Sequence, residues 1–441
     1  MNKKEKFIIQ GLDGKRILKG RVSINGAKNS ALKAMAGAVL FQGKVELNNI
    51  PNTEDVHTLN EILQDLGAKI EWKDNNPLTK TLYIDTSMIG KTDINPDKAR
   101  SMRASVVLTG PMLARFGKVS FPAPGGCVIG ARPIDLFIDG YKKMGAKVRL
   151  ENEIYYIEAD RLIGTEITFA KITVGGTETL MMASVLGSGQ TILKNCAKEP
   201  EIENVGHWLN QNGADIQGLG TDTIIINGNS GKLLNASVAY RAIPDRIEAG
   251  SFLFLGALLA QQLYIDNCRP DHLGLVIDLL KKSGVDIEII GKDGEEGSIK
   301  ISNKNNNAFR PFNVVTKEYP GFATDLQSPL VTYLTQCEGE STVVETIFEG
   351  RFKYAHDLVQ MGARINIIDG NKALINGPTP LAHFEHVELT AHDIRAGFAI
   401  VLACLIAKGK FTISNIHLID RGYESLETRL RAIGAHIERV K

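Results

Sequence analysis

Several common signals are scarce or missing in this sequence, and each gap removes a class. Its 441 residues include only five cysteines, Cys127, Cys196, Cys268, Cys337 and Cys404, none in a C-x-x-C pair. An odd, unpaired set speaks against a disulfide scaffold or a zinc ribbon. The nine histidines lack H-x-x-x-H or H-E-x-x-H spacing, so no metal site is expected. The G-x-x-x-x-G-K-[ST] phosphate loop is also missing. No long hydrophobic run occurs: the nearly apolar stretches 252–260 and 397–407 are well short of the ~20 residues of a membrane span. The start, MNKKEKFIIQ, has three apolar residues in a row, too few for the core of a secretion signal. Charge of one sign is missing too. With 51 basic against 50 acidic residues, neither a nucleic acid nor a membrane surface is an expected partner. These gaps together predict a soluble, reduced, cytoplasmic protein.

Glycine, in contrast, is abundant, at 43 residues against an average of about 7%. Length alone suggests about three domains of ~150 residues. The repeats suggest otherwise. Six phrases recur: LGAKI at 66–70, MGAKV at 144–148, NGADI at 212–216, SGVDI at 283–287, MGARI at 361–365 and IGAHI at 433–437. Their glycines lie 78, 68, 71, 78 and 72 residues apart. Each phrase closes a helical pattern and opens a strand, where glycine suits a left-handed helix end. A turn with glycine and an alternating strand precedes five of the six: QGKVELNNI, FGKVSF, SGQTILKN, EGESTVVE and KGKFTISN. The remaining copy, QQLYIDNC, lacks the glycine. One repeat therefore reads strand, apolar helix, strand, amphipathic helix, strand, strand. The apolar helices, such as 250–261 and 394–407, should be buried on all sides.

Departures from the repeat mark candidate chemistry. FPAPGGCVIGARPIDL at 121–136 reads as an exposed loop carrying Cys127, with Arg132 just beyond. An unpaired cysteine is often buried and inert; one beside an arginine on a flexible loop is accessible and inclined to the thiolate. No neighbouring histidine suggests a protease-like pair. INGAKNSALKAM at 24–35 places Lys28 and Asn29 where a helix begins. Such a lysine is either a solvated side chain or a point charge added to an anion-favouring helix start. Arg103, Arg246 and Arg395 stand near the starts of buried helices, and Arg351 and Arg421 after strands. Singly they read as structural ion pairs; together they could form an anion clamp. Asp325 in PGFATDLQSP is either a helix cap or a general base.

These phrases carry a resemblance. NGAKNSAL, SMRAS, PGGCVIGARPIDL, KEPEI, PDRIEAGSF, FATDLQ, ETIFEGRF and HLIDRGYESLETRLRAIGAHIERV, in order from residue 25 to 440, resemble the enolpyruvyl transferases that act on UDP-N-acetylglucosamine. The resemblance implies an α/β fold, an inside-out α/β barrel of two domains with three of the six repeated units each. The first domain would be 28–243, and the second would combine 1–27 with 244–441, with the active site between them. The implied reaction moves the enolpyruvyl group of phosphoenolpyruvate to the sugar 3-hydroxyl with loss of phosphate, in peptidoglycan precursor synthesis. Neither a metal nor another cofactor is implied; the partners are these two small molecules, and a monomer is expected.

Roles follow residue by residue from the same resemblance. Cys127 matches the general acid. Lys28 and Asn29, with Arg132 and Arg421, match the phosphoenolpyruvate contacts, Lys28 and Arg421 with catalytic parts. Arg103, the run Arg132, Pro133, Ile134, Asp135, Leu136, and a uridine-lining strand of Lys171, Ile172, Thr173, Val174 match UDP-sugar contacts. Asp325 matches the carboxylate at the sugar hydroxyl, and Ile347 an apolar sugar contact. Arg351, Asp393 and Arg395 match supporting residues. The loop departs from the usual pattern in its Phe-Pro-Ala-Pro segment, and HDIRAG departs from the usual Asp-Leu-Arg. Competing readings are a sister enzyme acting on shikimate 3-phosphate and a non-catalytic paralogue.

Overall fold

A computed structural model describes residues 5–76, 79–123, 134–303, 308–382 and 388–441. Cys127, Arg132 and Pro133 lie outside the described residues. The class is mixed α/β, built from six repeats of one βαβαββ pattern. The described residues fall into two compact lobes, one with 26–123 and 134–243 and the other with 5–25 and those from 244 on.

Every repeat forms a sheet with the same strand order, first-second-fourth-third. In the first, Tyr240–Arg241 runs parallel to Lys44–Ile50, which pairs antiparallel with Thr79–Asp85, and that with Lys69–Asn76. The second has Lys118–Pro122, Ile154–Glu158 and Lys147–Glu151, with a parallel bridge from Asp93 to Ser120 in place of a first strand. Glu166–Thr168, Ser188–Lys194, Thr223–Asn229 and Ile216–Gln217 make the third. Leu18–Ser23, Ala260–Cys268, Gly297–Ser302 and Asp286–Ile290 make the fourth. The fifth is Val314–Val315, Gly339–Val344, Lys372–Gly377 and Arg364–Ile368. In the sixth, Leu389–Thr390 and Lys410–Ser414 are completed by Lys6–Gln10 and His436–Val440. The sixth repeat thus takes its fourth strand, and the fourth repeat its first, from the start of the chain.

Local chemistry explains the repetition. All six phrase glycines have positive φ, for example 115° at Gly67. There Gly67 caps helix Glu54–Leu66 in the left-handed region, which a Cβ would disfavour. The helix before each second strand is largely buried. Every residue of Arg246–Leu259 after the first is buried, as is every residue of Ile394–Ile406 after its first. Each buried Leu or Phe there stabilises the lobe by about 2 kcal/mol. These two helices pack on each other and on Gln327–Leu334. In the fourth repeat, where the turn glycine is missing, Asn303 Nδ2 donates to the carbonyls of Gly256, Ala257 and Ala260, satisfying the helix end.

A recurrent position was not apparent from sequence. Asn49, Asn195, Asn267 and Asn415 each stand at or just past the end of a second strand with positive φ. The side chains of Asn49, Asn195 and Asn267 donate to the carbonyls of Ala242, Phe169 and Ile24, just past the parallel first strand. Asn415 donates instead to Thr390 Oγ1. Asparagine tolerates the left-handed region and brings its own donor, so it ties the two strands together.

Candidate active site

In the 26–243 lobe, Lys28 opens helix Lys28–Gly37. Gly26 just before it is required by close approach, since a Cβ there would lie 1.7 Å from the Asn49 carbonyl oxygen. The chain is thereby held against the strand end, and Lys28 is pointed inward. It is only 8% exposed, and its Nζ is 2.8 Å from Asp55 Oδ2. The solvated-lysine reading therefore fails: Lys28 is half of a buried ion pair. A second pair stands one turn further on, with Lys33 Nζ 2.9 Å from Glu178 Oε2 on helix Val174–Val185. Asn29 is half-buried beside them.

In the other lobe, Asp325 sits in the 3-10 turn Thr324–Leu326. The capping reading fails as well, because neither this turn nor the following helix Gln327–Leu334 has a side-chain cap. The Asp325 carboxylate instead meets two guanidiniums. Arg351 Nη2 is 2.8 Å from Oδ1, and Arg395 Nε is 3.6 Å from Oδ2. Both arginine side chains are almost fully buried, while that of Asp325 is 31% exposed. Burial disfavours the charge on Arg395, but the nearby Tyr423 and Asp325 outweigh it and raise its pKa. Tyr423 also offers its ring, 5.1 Å from the guanidinium. Nη1 of both Arg351 and Arg395 is buried with no hydrogen-bond partner among the described residues. Unused buried donors of this kind are costly, and two pointing from one cluster make a site for an anionic or oxygen-rich ligand.

The other candidates fall as follows. Asp393 caps helix Ile394–Ile406, accepting from the Arg395 and Ala396 backbone N–H groups at 2.8 and 2.9 Å. Arg246 opens helix Arg246–Leu259, with the ring of Tyr319 5.3 Å from its guanidinium. Arg103 opens a six-residue 3-10 helix, Arg103–Leu108, which leads into helix Thr109–Phe116, so it stands about two turns before that helix. Arg421 ends the short helix His417–Asp420 rather than following a strand directly. Ile134 is buried at the start of helix Asp135–Lys143, with Asp135 exposed and Leu136 half-buried. Lys171, Ile172 and Thr173 require a correction: they form no strand. The strand is Glu166–Thr168, and residues 171–173 are the loop entering helix Val174–Val185, whose cap is Thr173 Oγ1, accepting from Gly176 N at 3.1 Å. The Thr173 hydroxyl competes for that backbone N–H and ends the extended run. Ile347 is half-buried in the turn after strand Gly339–Val344.

Asp55 and Glu178, the partners of the two buried lysines, were missed in the sequence. The signal of Asp55 is weak, since an acidic residue in a helix's first turn usually only complements the dipole. Among the described residues, no three His, Cys, Asp or Glu side chains are grouped to hold a metal ion. No helix among them is long and apolar enough to cross a membrane.

Comparison with known proteins gives the family and the fold. The family model of EPSP synthase (3-phosphoshikimate 1-carboxyvinyltransferase) matches residues 12–430. A UDP-N-acetylglucosamine 1-carboxyvinyltransferase of Koribacter versatilis is 43% identical over 436 residues, 99% of this chain and 96% of the relative. The chain belongs to the UDP-N-acetylglucosamine 1-carboxyvinyltransferase family. A further member, from Acidobacterium capsulatum, is 42% identical over the same shares. Solved enolpyruvyl transferases share the fold. NikO of Streptomyces tendae superposes with a TM-score of 0.86 at 24% identity, covering 99% of both chains. EPSP synthase of Acinetobacter baumannii gives 0.73 at 18% identity, covering 99% of this chain and all of the other.

Proposed function

We propose that this protein transfers the enolpyruvyl group of phosphoenolpyruvate to the 3-hydroxyl of UDP-N-acetylglucosamine, releasing phosphate, in the cytoplasm and as a step in peptidoglycan precursor synthesis. The observation that carries this reading is the 43% identity along essentially the whole chain to a relative bearing that activity in its name. The Asp325 cluster supports it independently, because it combines a half-buried acceptor with cationic donors that have no partner among the described residues.

The chemistry has two steps. In the addition, the methylene carbon of phosphoenolpyruvate gains a proton, the sugar oxygen bonds to the adjacent carbon, and the sugar hydroxyl loses its proton. In the elimination, the new methyl group gives up a proton, the carbon–carbon double bond re-forms, and phosphate leaves. Cys127 is assigned as the acid of the first step and Asp325 as the base that takes the sugar proton. A positioned acid or base of this kind contributes about 10²–10⁴-fold. Lys28, Asn29, Arg132 and Arg421 are assigned to phosphoenolpyruvate, and Lys28 and Arg421 also to the leaving phosphate. Arg103, Arg132, Pro133, Ile134, Asp135, Leu136, Lys171, Ile172, Thr173, Val174 and Ile347 are assigned to the UDP-sugar. Arg351, Asp393 and Arg395 hold Asp325 and its surroundings.

Phosphate release from phosphoenolpyruvate, with UDP-N-acetylglucosamine and shikimate 3-phosphate compared as acceptors, tests the proposal. Release with the nucleotide sugar alone is expected. Release with shikimate 3-phosphate alone moves the chain to the sister activity, and none with either makes it a non-catalytic relative.

A further inference from the structure

The fifth repeat breaks the asparagine pattern, and the break lies beside Asp325. In four repeats the backbone aligns the recurrent asparagine unambiguously: the carbonyl just before it accepts from the residue past the first strand. These bonds are Ala242 N to Asn48 O, Phe169 N to Lys194 O, Ile24 N to Asp266 O and Ala391 N to Ser414 O. The same bond in the fifth repeat is Thr316 N to Val344 O. The next residue, in the asparagine's place, is Glu345, which is 2% exposed. An amide donor has become a carboxylate, and its partner has changed to match. Glu345 Oε1 accepts from Thr316 Oγ1 at 3.0 Å and from the backbone N–H groups of Ile347 and Phe348 at 2.8 and 3.1 Å. Oε2 accepts from Thr324 Oγ1 at 2.8 Å.

Burying a carboxylate is costly unless its oxygens are well satisfied. Here the carboxylate joins two segments of the chain. One is the turn carrying Ile347 and Phe348, whose ring lies 5.4 Å from the Arg351 guanidinium. The other is the 3-10 turn on which Thr324 precedes Asp325. We propose that Glu345 is a positioning residue for the transfer reaction: through Thr324 and the 347–348 amides it sets Asp325 relative to Ile347 and Arg351. It touches no substrate itself. The assignment rests on the function proposed above, since it presumes that Asp325 and Ile347 face the acceptor sugar.

Two variants test it. Thr324→Val keeps the side-chain shape and removes only the hydroxyl that joins Asp325's turn to Glu345. Glu345→Gln keeps the length and loses an acceptor oxygen. The expected result is a fall in kcat/KM for UDP-N-acetylglucosamine on the order of 100-fold, as for a misplacement of about 1 Å. KM for phosphoenolpyruvate should stay within about twofold, because that ligand is assigned to other residues. A purely structural role would lower the thermal midpoint and leave both kinetic parameters of the folded enzyme as they were; that result in Thr324→Val overturns the inference. Should Glu345→Gln fail to fold, Thr324→Val decides alone. An inactive wild-type chain would overturn the proposed function, and this inference with it. An active wild type with unaffected variants would overturn this inference only.

Discussion

The two lobes bury cations in different ways. In the 26–243 lobe, Lys28 and Lys33 each face a carboxylate, Asp55 and Glu178, at 2.8 and 2.9 Å. In the other lobe, Arg351 and Arg395 share Asp325, and each keeps a buried Nη1 without a hydrogen-bond partner among the described residues. A lysine is a compact point charge that one carboxylate can compensate, whereas a guanidinium presents five donors in a fixed fork. The lysine pairs read as preformed charge, held in place until a ligand competes for it. The arginine cluster reads as incomplete, with donors awaiting an acceptor. Both kinds of site carry cations, and in the second a buried donor on each arginine has no hydrogen-bond partner among the described residues.

The contrast can be broken or sharpened experimentally, and the largest effect is expected at Asp325. Asp325→Asn keeps the shape and removes the base. Turnover should fall by about 10²–10⁴-fold with a thermal midpoint within a few degrees of wild type; a turnover loss under about tenfold would remove Asp325 from proton transfer. Next come the paired lysines. Lys28→Met removes the counter-charge 2.8 Å from the buried Asp55 carboxylate, and urea melts should show about 3–5 kcal/mol of destabilisation. Lys28→Met with Asp55→Leu should recover most of it, since replacing both members of a buried pair is often neutral. Arg351→Met should cost less stability than Lys28→Met, because it removes an unsatisfied donor as well as a bond to Asp325. Equal losses would mean that the two lobes treat their cations alike.

A smaller effect is expected at the recurrent asparagine. Asn49→Ala loses a buried bond to Ala242 and puts alanine at a φ of 57°. A loss of about 2 kcal/mol is expected in urea melts. The smallest concerns His392, whose Nε2 lies 2.6 Å from Asp357 Oδ2. The bond to Asp357 raises its pKa above the ordinary 6.5, with burial and Lys353 opposing and Asp393 assisting. A raised folded-state pKa gives stability that is fully present below the unfolded value and lost as pH rises through the folded one. Relative to His392→Gln, the wild type should gain under about 1 kcal/mol at pH below 6.5. The gain should vanish at higher pH, and one that grows with pH would contradict the assignment.

Legibility in the sequence tracked how local each cause is. The six glycine phrases were plain because the left-handed helix end is a property of one residue and its neighbours. That Lys6–Gln10 completes the last sheet was not, because it pairs the two ends of the chain. At the candidate site, residue types were legible and partnerships were not. Asp325 looked equally like a cap or a base until two arginines, 26 and 70 positions away, were found on it. Residues 171–173 were expected in a strand from the resemblance alone, but Thr173 spends its hydroxyl on the helix start. Glu345 was visible only inside a matching phrase. Its meaning emerged once backbone bonds aligned it with four asparagines.

The central claim is enolpyruvyl transfer by addition and elimination, and its most direct test is the reaction in heavy water with phosphoenolpyruvate and UDP-N-acetylglucosamine, read by mass spectrometry of the nucleotide sugar. The account predicts a carboxyvinyl product carrying deuterium on the vinyl carbon, because that carbon passes through a methyl group that takes a proton from the acid and later gives one up. A vinyl product free of deuterium would contradict addition and elimination through an exchangeable acid, and an unaltered nucleotide sugar would contradict the transfer itself.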